Sequence, residues 1–417
     1  MQRVIISDVG PEMNRRSTTI LYICLTASFI CFGCQSPPSV PSRFQQQLAL
    51  ARKEGIPTTG KELSDSLPAL KDSENAASYY SKLEDRQYES PPAGWKEIDE
   101  LLKRDPKAAI TSTSALIEKE KNDIANFEIG ASLAHCNFNR NWASPEWMDH
   151  RDYGLKKAIY LISTRAALFA AQGKHELAVK DAGLLMNLAA QLREEPGQFG
   201  EIMRFTAESV GLNLLGKLAV RYQNVPEYLV KLKSSLKSAS TVNPKNVLKT
   251  ELIEIITLID YVESKAGRER WRITDHEYSE ALKMPIPQSK DEGKALIVEG
   301  FRKRWASAKE PYDEAEITKG NDMIKQGAKS FVIAEHFLSE GFQPELIQQM
   351  SASYVARIRV LETLILALNK KLPNELKEKA QLSPIDKKPI RYQVSNGKIS
   401  IRATDTDSIF NFTTPMP

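Results

Sequence analysis

With 41% hydrophobic and 26% charged residues, the chain of 417 residues has an ordinary globular balance, which excludes a disordered or a polytopic membrane protein. Its 57 Lys and Arg against 53 Asp and Glu leave a formal charge of +4. That is too even to gather DNA, RNA or anionic substrates by a global field, so no nucleic-acid partner is expected.

The chain opens with a leader. Met13-Asn-Arg-Arg-Ser-Thr-Thr sets two arginines before the apolar stretch 20–32, and Phe32-Gly33-Cys34-Gln35-Ser36-Pro37-Pro38 follows. A basic start, a short apolar core and a small residue at the end are the grammar of a signal peptide. The apolar core is shorter than the roughly 20 residues a spanning helix needs. Residues 1–33 are therefore read as the signal peptide, with Met13 as the start that gives a leader of normal length.

Gly33-Cys34 resembles the lipobox of bacterial lipoproteins, in which a small residue precedes the cysteine that receives diacylglycerol. Cys31 stands where those proteins usually have leucine, and Phe32 lies between. The resemblance implies lipid attachment at Cys34 and a lipid-anchored tether over 34–41. With Gln35 after the cysteine, it implies the outer membrane, facing the periplasm or the cell surface. Ordinary signal cleavage and an uncleaved anchor are the alternatives. Since Cys24 and Cys31 fall in the leader, Cys136 is the one thiol of the remaining body, which rules out an internal disulfide.

Beyond the tether, apolar residues recur at three- and four-residue spacing, broken by Pro, Gly and Asn. The expected fold class is all-α: an irregular, solenoid-like array of helical hairpins over 42–383, followed by a small C-terminal β-hairpin and tail over 384–417 docked on the helices. Asp105-Pro106, Val225-Pro226 and Asn243-Pro244 mark helix starts. Over 249–262 the stripe Leu252, Ile255, Ile256, Ile259 is expected to face the core, with Glu251 and Glu254 opposite, on the outer face. Around Gly173, with Ala166, Phe169 and Ala178 at the packing positions, the chain resembles one tetratricopeptide hairpin, with no second copy at the repeat spacing. A long apolar helix is expected over 344–372. Further on, Ile390, Tyr392 and Val394 alternate before Asn396-Gly397, the pattern of a tight hairpin.

Taken in order, Glu74-Asn-Ala-Ala-Ser-Tyr-Tyr, Ala134-His-Cys-Asn-Phe138, the Gly173 hairpin, and Pro384-Ile-Asp-Lys-Lys-Pro-Ile-Arg-Tyr392 resemble a group of uncharacterised exported bacterial helical lipoproteins. The terminal hairpin is similar to the C-terminal end of secretion-system pseudopilins. The resemblance implies a fold and no activity. Relatives continue into a Gly/Asp-rich tail, and here Ala403-Thr-Asp-Thr-Asp-Ser-Ile-Phe runs on without glycine.

Motifs with chemistry fail on inspection. Gly211-Leu-Asn-Leu-Leu-Gly-Lys217 approaches a phosphate-binding loop, but Leu218 replaces the hydroxyl residue and no strand precedes it, so no nucleotide or other cofactor is expected. His276-Glu277-Tyr278-Ser279-Glu280 lacks the second histidine of a zinc-protease helix, and no metal is expected. Cys136 next to His135 reads as a buried structural thiol rather than a nucleophile. Arg268-Glu-Arg-Trp-Arg272 and Arg302-Lys-Arg-Trp305 read as solvated helix faces, or as grips for anionic headgroups. Glu194-Glu195 and Asp313-Glu314-Glu316 are carboxylate groups without an aromatic cleft in sequence to serve a glycosidase. The expectation is a non-catalytic envelope lipoprotein that touches lipid through its anchor and binds or scaffolds a protein partner. A hydrolase of cell-envelope polymer is the alternative, and a pseudopilin-associated accessory is a third.

Overall fold

The computed structural model describes residues 40–83, 95–142, 153–236, 244–262, 264–270, 288–308, 314–331, 365, 391–395, 398–402 and 411–415. The leader, Cys34, the His276 segment, Trp271, most of 344–372 and the Asn396-Gly397 turn lie outside them.

The described chain is mostly helical, and its helices begin where side chains or prolines can meet the unpaired N–H groups of a first turn. The Ser42 hydroxyl accepts the Gln45 N–H at the start of α1 (Arg43–Lys53), and Thr59 caps α2 (Gly60–Ser66) in the same way. The short α3 (Ala77–Tyr80) and α4 (Trp95–Arg104) come next. Asp105 accepts from Ala108 N–H, with Pro106 in the first turn of α5 (Pro106–Lys119). Then follow α6 (Lys121–Ser132), α7 (Tyr153–Ala171), α8 (His175–Gln191), α9 (Gly197–Arg221), α10 (Pro226–Leu236), α11 (Pro244–Val262), α12 (Lys265–Arg270), α13 (Lys290–Ser307) and α14 (Glu314–Ala328). All three expected proline starts are in place. Gly173, at φ +74°, makes the turn between α7 and α8, while Ala166 and Ala178 are fully buried at the hairpin's contact. Toward the C-terminus three five-residue segments, β1 (Arg391–Ser395), β2 (Lys398–Arg402) and β3 (Asn411–Pro415), pair antiparallel in that order. Tyr392 and Phe412 both lie opposite Ile401.

Apolar burial divides between two main clusters. The first gathers α3 and α6–α10 around Tyr80, Phe127, Ile159, Leu185 and Leu215. The second gathers α1, α11, α13 and α14 around Leu252, Ile259, Ile297, Phe301 and Phe331. A simple solenoid keeps contacts between neighbours in sequence. Here α1 departs from that order and packs on α13, roughly 250 residues later: Ser42 donates to Asp291 at 2.7 Å, Arg43 pairs with Glu292 and Glu299, and Arg302 reaches back to Gln47 and Glu54. Among the described residues no helix is long and apolar enough to cross a membrane.

Two pairs of glycines set the distance between α13 and α14. A Cβ on Gly300 would fall against the Gly320 carbonyl oxygen, and one on Gly293 would lie 2.8 Å from the Gly327 carbonyl. The backbones are closer than side chains allow, and the stem of Arg304 lies in the room left at Gly320. Replacing Gly320 by Ala is expected to cost about 1–3 kcal/mol through overpacking. Urea unfolding of G320A would measure this, and an unchanged midpoint would contradict the packing.

Candidate functional site

The motif residues that stood out in sequence meet in space, and the meeting is structural. Asn75 donates its side-chain amide to the Asn137 carbonyl at 2.7 Å. Its Oδ1 accepts the N–H groups of Ala77 and Asn137 at 3.1 and 2.9 Å. The Ala76 N–H donates to the His135 carbonyl, so 75–77 and 135–137 are stitched side by side. Cys136 is thereby held with no exposed surface, and Ala76, Tyr80 and Phe127 share its cluster. The Tyr80 hydroxyl donates to Gln191 Oε1 at 2.7 Å, while the Gln191 amide donates to the carbonyls of Gly130 and Leu133 and so closes the end of α6. Burial pushes the Tyr80 hydroxyl well above its ordinary range, with Cys136 contributing. His135 points the other way: it is half exposed, with Nδ1 3.0 Å from Glu194.

A second constellation was misread from sequence. Glu251 and Glu254, expected on the outer face of their helix, are buried. The reason is that α11 is covered on both sides: its leucine and isoleucine stripe faces the second apolar cluster, while Ile253 meets Leu63 and Trp142 on the other side. Into this seam come Arg140 and Glu195, paired at 3.0 Å, with the Phe138 N–H donating to the other oxygen of Glu195. Arg304 forks onto both oxygens of Glu251, Nη2 lying 2.8 Å from Oε2. Asn246 donates to the carbonyls of Arg193 and Glu195 and fixes the turn into α9. Gly197 sits in that turn at φ +94°, where a Cβ would stand 2.6 Å from the Thr250 hydroxyl. Glu254 has the Thr250 hydroxyl, Glu251 and Arg140 for company, and burial raises its carboxyl from 4.5 to about 7. On α9, Arg204 is fully buried between Glu201 and Glu208, and burial lifts Glu208 to about 8.

Other candidates resolve individually. The stretch 211–218 continues α9, with Gly211 against Met186 as a close helix contact. Arg302-Lys-Arg-Trp305 is neither a solvated face nor a headgroup grip: Arg304 and Trp305 are buried, Arg302 holds Glu54, and Lys303 lies 3.5 Å from Glu316. Glu194 and Glu195 face different ways, one on His135 and one on Arg140. A cleft of 240 Å³ is lined by Phe44, Asp260, Lys290, Asp291, Lys294 and Phe331. Lys294 spans it, 2.5 Å from Asp260 and over the Phe44 ring, in a space smaller than the about 300 Å³ at which small-molecule sites begin.

Asn75→Ala removes one donor and one twice-used acceptor beside buried backbone, and it is expected to cost about 2–4 kcal/mol. In the native wild type Cys136 should resist aqueous thiol reagents. In N75A it should label at denaturant concentrations below the global transition, a result that protection equal to wild type would contradict. Comparison of the chain with protein-family models, curated proteins and solved structures finds no match, so its own residues carry the functional reading.

Proposed function

We propose that the protein is a non-catalytic envelope lipoprotein, attached to membrane lipid through Cys34, whose helical body binds or scaffolds a protein partner at the outer membrane. The observation that carries this reading is the docking of α1. The tether of 34–41 runs directly into Ser42, and Ser42 and Arg43 are bonded to Asp291, Glu292 and Glu299 of α13. A pull on the tether therefore meets a clamped helix rather than a loose end. With Leu48 and Ala51 in the second apolar cluster, α1 transmits that restraint to the body's core.

The non-catalytic part of the reading is supported by Asn75 and Cys136, which with Gln191 are engaged in holding α3, α6 and α8 together. A docked C-terminal hairpin belongs to the same proposal. Ile401, in the middle of the three paired segments, is fully buried with the first apolar cluster, as docking on the helices requires. The hairpin would then close the array at the end opposite the tether in sequence.

Radiolabelled palmitate fed to the native host should label the wild type in the membrane fraction. Cys34→Ala should carry no label and appear in the soluble fraction. Equal labelling of the two proteins would overturn attachment at Cys34, and an unlabelled wild type would overturn lipidation altogether.

A further inference from the structure

The seating of α1 on α13 follows one parallel register. The Ser42 hydroxyl donates to Asp291 and Arg43 pairs with Glu292, each 249 positions on, and at the far end Glu54 takes Arg302, 248 positions on. Arg43 also reaches Glu299 at 2.9 Å and Arg302 reaches Gln47 at 2.7 Å, each about two turns further along. Charge is matched end to end: a cation opening α1 meets acids on α13, and the acid that closes α1 meets a cation.

Between these brackets the contact is apolar and small. Asp291, Ala295, Val298 and Arg302 recur at helical spacing on one face of α13, and Ala295 and Val298 are fully buried. Within α1 itself only Leu48 and Ala51 are buried, while Phe44 is partly covered and Leu50 is 38% exposed. A helix of 11 residues is marginal on its own, so α1 is helical because it is docked. Gly55 closes it in a turn at φ +76°, with nothing within 4 Å of where a Cβ would stand, and Ile56 beyond is buried again in the second cluster.

We propose that α1 is a detachable strap, which opens and melts as a unit, turning on Gly55, when the ion pairs at its two ends are screened, and so bares the Ala295–Val298 face of α13 while the body stays folded. The two kinds of attachment respond to salt differently. Burial of Leu48 and Ala51 does not weaken as salt is added. The side chains of Arg43, Glu292, Glu299, Arg302 and Glu54 are between 20% and 43% exposed, and the tie of Arg52 to Glu62 of α2 lies in water as well. Exposed charges lose their attraction as the screening length falls from about 10 Å at 0.1 M salt to about 3 Å at 1 M. One such pair adds little, but Arg43 and Arg302 each hold two partners in a single register. The pairs Arg140–Glu195 and Arg304–Glu251 are at most 7% exposed, and salt reaches them far less. The strap therefore opens before the seam along α11. This inference concerns the body alone and does not depend on the lipid anchor.

Amide hydrogen exchange of the full chain in about 0.1 M and about 1 M sodium chloride should show 43–54 opening about tenfold more often at the higher salt, with exchange of α11 unchanged. Arg302→Glu sets an acid beside Glu54 and should open α1 already at low salt, with a smaller response to added salt. Glu54→Arg placed on top of it restores the pair with its charges exchanged and should return the protection. The wild-type comparison needs no variant and stands even if R302E folds poorly. Opening of α1 that is equal at both salt concentrations would overturn the proposal. So would α1 amides that exchange only together with α11, or an E54R/R302E protein as open as R302E.

Discussion

The rest of the structure depends on the burial of α11 from both sides. Its apolar stripe completes the core shared by α1, α13 and α14, and its reverse face lies against the turn into α9 and the loop after α6. A helix enclosed in this way cannot keep a solvent-facing side for its charges. Its buried glutamates must find arginines or protons; Arg304 meets Glu251, while Arg140 serves Glu195 from the turn into α9. Breaking one partner of such a buried pair is costly, because the other is left charged and enclosed. Among the described residues, the Arg140–Glu195 pair and the Asn246 bonds join the second cluster's central helix to the turn into α9 and the loop after α6.

The clasp built by Asn75 shows the complementary strategy. Two hydrogen bonds of one amide side chain, with a third inside its own turn, hold two stretches separated by 62 residues and seal the thiol between them. The loop carrying Cys136 continues into Phe138 and Arg140, so the clasp and the charged seam are two ends of one short segment. Rigidity at Asn75 aims Arg140, and the geometry of the seam in turn requires that the loop stay fixed.

Much of this fold was legible from the chain. The helices at Pro106, Pro226 and Pro244 announce themselves because proline has a fixed φ and no N–H to lose, and the Gly173 turn because its neighbours are small where helices touch. The buried thiol was legible as well, since adjacent side chains such as His135 and Cys136 diverge. The seam was not. Periodicity places Glu251 and Glu254 opposite Leu252 and Ile255, but it cannot say whether the opposite face meets water or another helix. The same blindness made Arg304 and Trp305 look like surface residues, when the partner that buries Arg304, Glu251, lies 53 positions away. One signal was available and unused: Gly293 and Gly300, like Gly320 and Gly327, stand seven residues apart.

That repeat constrains how α13 and α14 can align. Gly293 faces Gly327 and Gly300 faces Gly320, so both antiparallel contacts share one register, and neighbouring alignments would drive a side chain into a carbonyl. Sliding by a single turn would forfeit both seats at once, and only a jump of a whole seven-residue step would recover one of them. Residues can therefore be exchanged along the outer flanks of this hairpin with little consequence. One residue inserted or deleted between the paired glycines of either helix would throw the alignment out and, with it, the reach of Arg304 across Gly320 to its distant carboxylate.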